Sequence, residues 1–139
     1  GGASNYRKQA KDYRLKNVKF LDTTSDIRKI HKFLNTLNVY AHGRSDGEQC
    51  SSSIIEGMSH SLPMISHTAP SMGQREQIGN AGKVVEGYED YANEMNKLMH
   101  DKDYYIQCMN NSGKRYEEIY NVPSIISRFI GLYKEASNA

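Results

Sequence analysis

Apolar positions along the chain follow two rhythms, one helical and one strand-like, and their alternation lays out the elements. Tyr6, Ala10 and Tyr13 recur at helical spacing, which predicts an amphipathic helix from about Asn5 to Lys16. Val18-Lys19-Phe20-Leu21 then predicts a strand. Ser25 is the candidate N-cap of a second helix whose stripe is Ile27, Ile30, Leu34 and Leu37. Val39-Tyr40-Ala41-His42 predicts another strand, followed by the Gly43-Arg44-Ser45-Asp46-Gly47 turn and a helix carrying Ile54, Ile55, Glu56 and Met58. Pro63 to His67 is a further strand closed by the Ala69-Pro70 loop. Arg75 to Ile78 reads as a short helical segment stopped by Gly79, and Lys83-Val84-Val85 as the last strand.

The final third is helical throughout. Tyr91, Met95 and Leu98 mark one helix. Tyr105, Met109, Ser112, Tyr116 and Ile119 mark a second, and Ile126, Phe129, Ile130 and Tyr133 a third with Pro123 near its first turn. Short apolar strands alternating with helices predict crossovers and hence an α/β domain with a parallel sheet. No repeat, low-complexity tract or linker divides residues 1–139, which read as a single domain.

Composition narrows the class. A chain of 139 residues, 37% hydrophobic and 24% charged with no Trp, reads as soluble and globular. No apolar run nears the ~18 residues of a membrane span, and no secretion signal opens the chain, so a cytoplasmic location is expected. Cys50 and Cys108, like the five histidines, show no ligand spacing, and no metal site is expected. The net charge of +2 conceals a basic first segment, where Arg7, Lys8, Lys11, Arg14, Lys16 and Lys19 face Asp12 alone. Phosphate neutralisation by such a helix suits nucleic acid or an anionic membrane. Without a base-reading motif the solvated face is the favoured reading and no nucleic-acid partner is expected. Loose membrane association stays open, because surface charge attracts anionic lipid without anchoring the protein.

Candidate chemistry concentrates around Glu48 and Glu56, which have seven residues between them. The run passes from a turn rich in Gly, Asp and Ser into a helix. One carboxylate therefore belongs to the loop and the other to the first helical turns. A helix N-terminus presents unpaired N–H groups and partial positive charge to a phosphate, while a carboxylate accepts paired hydrogen bonds from a diol. A diphosphate that also carries sugar hydroxyls meets both requirements.

These residues also carry a family resemblance. The Asp46-Gly47-Glu48 turn, seven residues, Glu56-Gly57-Met58 on a helix and Leu62-Pro63-Met64-Ile65-Ser66 as the next strand resemble the nucleotide-sugar half of a GT-B glycosyltransferase. The likeness is to the retaining family-4 (glycosyl transferases group 1) type, which includes sucrose synthases and bacterial lipopolysaccharide glycosyltransferases. Ser61 to Ile65 is similar to that family's Gly-Leu-Pro-Val-Ile-like strand, and Glu76 to Gly82 to the segment after it. The resemblance runs from about Val18 to Tyr120.

It implies a Rossmann-like parallel sheet with flanking helices, the C-terminal half of a GT-B fold, incomplete at its N-terminus. By that resemblance Glu56 accepts hydrogen bonds from the donor's ribose, Glu48 is the catalytic position beside the donor sugar, and the backbone of about Cys50, Ser51, Ser52 and Ser53 holds the diphosphate. Gln49, Cys50 and Ser51 stand where many members place glycine and a bulky apolar residue, so the geometry of this donor-lining loop departs from the pattern. Arg44 and His42 are the nearest cationic or protonatable candidates for the diphosphate, with turn stabilisation the plainer role of both.

The implied function is the donor-binding part of a hexosyltransferase-like enzyme of carbohydrate metabolism, with a nucleoside-diphosphate sugar as donor and an N-terminal acceptor-binding domain of the same polypeptide as partner. No cofactor is implied, and no divalent metal, since no Asp-x-Asp pair is present. The chain alone is expected to be inactive. The substitutions at Gln49 to Ser51 motivate a second reading, a non-catalytic GT-B-like binding or assembly module. A nucleotide-sugar epimerase is a weaker third.

Overall fold

The computed structural model describes residues 2–43, 50–68 and 73–138, which fall into two compact units, Gly1–Lys32 and Phe33–Ala139. In the first unit α1 spans Gly2–Asp12. It stops short of the predicted Lys16 because Arg14 takes a left-handed conformation, φ 53°. The Leu15 N–H then reaches the Ala10 carbonyl at 2.9 Å and the Arg14 N–H that of Lys11 at 3.0 Å. This pair of bonds closes the helix with Arg14 where glycine usually stands. The Arg7 guanidinium lies 4.8 Å over the Phe20 ring. Val18 to Leu21, predicted as a strand, is not one. A strand exists only through a neighbour's peptide groups, and no strand among the described residues pairs with this segment.

Helix α2, Ile27–Leu34, begins one residue later than a Ser25 cap requires. Asp26 is the cap, its Oδ1 accepting from the Arg28 N–H at 3.0 Å, while the Thr24 hydroxyl accepts from the Asp26 N–H at 3.1 Å. Leu34 is buried and Leu37, the last residue of the predicted stripe, lies beyond the helix.

The second unit is built on a parallel sheet of β1 (Tyr40–His42), β2 (Met64–His67) and β3 (Gly82–Val85) in that order. The crossovers hold α3 (Ser52–Ser59) and α4 (Gly73–Ile78), the latter ending at Gly79 with φ 53° as its stop. β2 is covered on both faces. Met64 and Ser66 point one way and Ile65 the other, and all three are fully buried. Ile54, Gly57 and Met58 are the buried side of α3. At Gly57 a Cβ would stand 2.7 Å from Met64 Cε and 3.0 Å from the Tyr40 ring, so the helix axis comes close only because no side chain intervenes. On the other face Ile65 and Val85 pack with Leu98 and Cys108.

Leu98 belongs to α5 (Tyr88–His100) and Cys108 to α6 (Lys102–Arg115), which starts at an Asp101 cap bonded to the Tyr104 N–H at 2.9 Å. A π-helical turn, Tyr116–Tyr120, leads to α7 (Val122–Ser137), capped by Asn121 with Pro123 in its first turn. The predicted stripe of α7 is present but unburied: Ile126, Phe129, Ile130 and Tyr133 are all exposed. No helix among the described residues is long and apolar enough to cross a membrane.

One buried carboxylate ties α5 to α6 and β3. Glu94 receives a 2.5 Å hydrogen bond from the Tyr104 hydroxyl and has Lys83 Nζ at 3.7 Å. Burial also pushes the Tyr91 phenol up to about 12, helped by the nearby Tyr40. An unfolded tyrosine ionises near pH 10. Between about pH 10 and 12 the unfolded chain therefore gives up a proton that the folded chain keeps. The stability linked to Tyr91 is complete below pH 10 and is lost as pH rises through that window. Thermal melts between pH 8 and 12 should show a shallower alkaline decline for Tyr91→Phe than for the parent. Tyr104 and Tyr120, raised by their own burial, keep the remaining slope. Identical declines would rule the linkage out.

Candidate functional site

In a parallel α/β sheet, ligands sit beyond the carboxyl ends of the strands, where helices begin. Here that edge is formed by His42, His67 and Val85, and the helix that follows β1 is α3. Ser51 is its N-cap, in an extended conformation (φ −100°, ψ 119°). The first bond to close the helix runs from the Ile55 N–H to the Ser51 carbonyl at 3.3 Å. The N–H groups of Ser52, Ser53 and Ile54 thus have no partner within the helix. The Ser51 side chain does not cap them either, because its hydroxyl shares a 2.8 Å hydrogen bond with that of Ser53.

The burial of Ile54, Gly57 and Met58 turns the opposite side of α3 outward. Ser52 and Ser53 lie four and three positions before Glu56, so all three share that outward side. Glu56 is half-buried and one turn along from the open amides. The arrangement offers oriented donors and partial positive charge at one point and a carboxylate a helical turn away.

The Ser51 amide is already committed. It donates to Gln77 Oε1 at 2.9 Å, and Gln77 Nε2 donates back to the Ser51 carbonyl at 2.8 Å. Ser51 is 2% exposed and Gln77 3%. Of the run Cys50 to Ser53 read as the diphosphate backbone, the helix start leaves Ser52 and Ser53 open, while the Ser51 N–H faces inward. Cys50 is an exposed free thiol with Gln77 Nε2 at 3.5 Å from its sulfur. Arg44, Glu48 and Gln49 lie outside the described residues.

Sequence reasoning missed Gln77. A glutamine between Glu76 and Ile78 in a short helical segment carries no local mark of burial, and its partner is 26 positions away. It also missed His67. The Gly87 N–H donates to His67 Nε2 at 3.1 Å, which places the ring proton on Nδ1, 2.9 Å from the Thr68 carbonyl. His67 therefore fastens the loop after β3 to the end of β2. Among the described residues no group of three or more His, Cys, Asp or Glu could hold a metal ion. A cleft of about 440 Å³ between Val39, Leu98, His100 and Tyr105 lies at the amino edge of β1, away from this chemistry. A second cleft of about 350 Å³ opens beside Cys50 and Gln77, where Arg115 and Arg128 contribute positive charge.

Solved structures share this architecture. Anabaena Alr3699/HepE in complex with UDP aligns with a TM-score of 0.79 and 20% identity over 96% of this chain and 36% of that one. The same protein in complex with UDP-glucose aligns at 0.76 and 18%, again over 96% and 36%. With UDP and glucose together it aligns at 0.78 and 20%, over 95% and 36%. The chain thus spans about a third of the length of these structures, and the likeness shows the fold, one half of a GT-B fold. A search of curated proteins finds no match. The glycosyl transferases group 1 model matches residues 1–115, more than half of the sequence, and the chain belongs to that family.

Proposed function

We propose that this chain is the donor-binding part of a glycosyltransferase that moves a sugar from a nucleoside-diphosphate carrier to an acceptor. The observation that carries the reading is the outward side of α3, where the open amides at Ser52 to Ile54 and the Glu56 carboxylate stand one helical turn apart. The amides take the diphosphate and oppose the negative charge that grows on it as the glycosidic bond breaks. Glu56 accepts from the ribose hydroxyls. Glu48, separated from Glu56 by seven residues, is assigned to the donor sugar, and Gln49 and Arg44 to donor binding. No cofactor beyond the donor is needed for this chemistry.

The acceptor side belongs to a partner domain of the same polypeptide. The exposed apolar side of α7, with Phe129 56% and Ile130 49% accessible, supports such a neighbour. Accordingly the 139-residue chain binds donor without transferring sugar. The complexes of Alr3699/HepE favour a uridine nucleotide as the first to try.

An NMR titration of this chain with UDP, GDP and ADP tests the reading. Shifts clustered on Ser52 to Glu56 for one base are the expected result. Saturating nucleotide with those signals unmoved would sink it.

A further inference from the structure

The Ser51–Gln77 pairing gives the donor site a component outside α3. The side-chain amide of Gln77 meets both peptide groups of one residue, accepting from the Ser51 N–H and donating to the Ser51 carbonyl, at 2.9 and 2.8 Å. Two bonds of opposite sense fix the peptide planes on both sides of the Ser51 Cα, much as a neighbouring strand would. Gln77 is itself held from behind. Its backbone carbonyl accepts from Arg115 Nε at 2.7 Å and from the Tyr120 hydroxyl at 3.2 Å, and Arg115 also reaches the Glu76 carbonyl. The guanidinium passes over Gly79, where a Cβ would meet Arg115 Cζ at 2.8 Å. A brace therefore runs from the end of α6 through Gln77 to Ser51, the N-cap of α3.

We infer that Gln77 is a positioning residue of the donor site: it holds the Ser51 peptide inward so that the amides of Ser52, Ser53 and Ile54, and not that of Ser51, present to the diphosphate. The inference rests on the donor-site reading and adds a division of labour along the loop. An N-cap free to rotate would let the diphosphate compete for the Ser51 N–H and lose the fixed aim of the next three. Preorganised donors bind a phosphate without first being ordered, and that advantage disappears with the brace. Glu56 is a turn away and bonded to neither partner, so ribose recognition does not depend on it.

Gln77→Met keeps the length of the side chain and removes both hydrogen bonds. The full 139-residue chain and this variant would be titrated with UDP and with uridine, which lacks the diphosphate. UDP affinity is expected to fall about tenfold while uridine affinity holds within about twofold. Equal losses for both ligands, or none for either, would overturn the inference. Should the variant not fold, amide exchange on the parent decides. Ser51 is expected to be protected without ligand and unchanged by UDP, while Ser52 and Ser53 gain protection on binding. A Ser51 amide that exchanges freely until UDP is added overturns the inference on its own. A parent that binds neither ligand overturns the donor-site reading and this role with it, and the parent titration separates that case from failure of the brace alone.

Discussion

Gly82→Ala should cost the chain about 3 kcal/mol or more of stability, read as a large drop in the urea midpoint or as loss of the cooperative transition. A Cβ built on Gly82 would lie 1.8 Å from the Met64 carbonyl oxygen and 2.6 Å from its carbon. Backbone conformation is not the cause, since φ is 164°, an extended value open to any residue. Space is the cause. Met64 is the direct partner of Gly82 in the β2–β3 ladder and of Tyr40 in the β1–β2 ladder, so its peptide group cannot retreat without loosening the central strand on both sides. A flexible side chain in the same place would swing away; a carbonyl held in a sheet does not. Gly131→Ala is the matched control. It lies in α7 with nothing within 4 Å of its would-be Cβ, and alanine there should raise stability by a few tenths to about 1 kcal/mol through helix propensity. If Gly82→Ala unfolds at the parent's midpoint, the close approach of the two strands is wrong.

Much of the second unit is legible in the sequence, and the residues show why. β1, β2 and β3 depart from the predicted strands Val39 to His42, Pro63 to His67 and Lys83 to Val85 by a residue at one end, because compact apolar runs between turn residues leave little freedom. The stripes of α5 and α6 work in part for the same reason: Leu98 and Ser112 are buried where the period puts them, while Cys108, outside the predicted stripe, is buried as well. Val18 to Leu21 has an equally good pattern and no strand, because pairing is a property of two segments and the pattern describes one. The α7 stripe predicted a helix correctly yet says nothing about what covers it.

The site divides along the same line. Glu56 and the serines of α3 stand out through short-range order, a turn followed by a helix followed by an apolar strand. The commitment of the Ser51 amide is invisible in that run. It arises from a glutamine 26 positions on, whose burial depends in turn on Arg115 and Tyr120. Local sequence thus names the candidate helix, and only the tertiary contacts say which of its amides are committed.

The second large effect concerns Glu56. Replacing it with alanine should weaken UDP binding by about 10- to 100-fold, the value of one or two hydrogen bonds to an ionised acceptor at about 1.5–3 kcal/mol each, discounted for partial exposure. The fold should survive, because Glu56 is only half-buried, sits opposite Ile54 and Met58, and alanine is a better helix former. Glu56→Gln keeps an acceptor but loses charge and the paired geometry, so its loss should fall between parent and alanine. The ribose assignment can be isolated by removing the hydroxyl instead of the carboxylate. A 2′-deoxy uridine diphosphate should bind the parent more weakly than UDP, yet the two should bind Glu56→Ala alike, because the partner of that hydroxyl is gone. Uridine should lose affinity alongside UDP in Glu56→Ala, whereas at Gln77 uridine affinity holds, so that the two ends of one ligand report separately on two parts of the loop and helix. If deoxy and ribose forms remain as different in Glu56→Ala as in the parent, the carboxylate does not read the ribose.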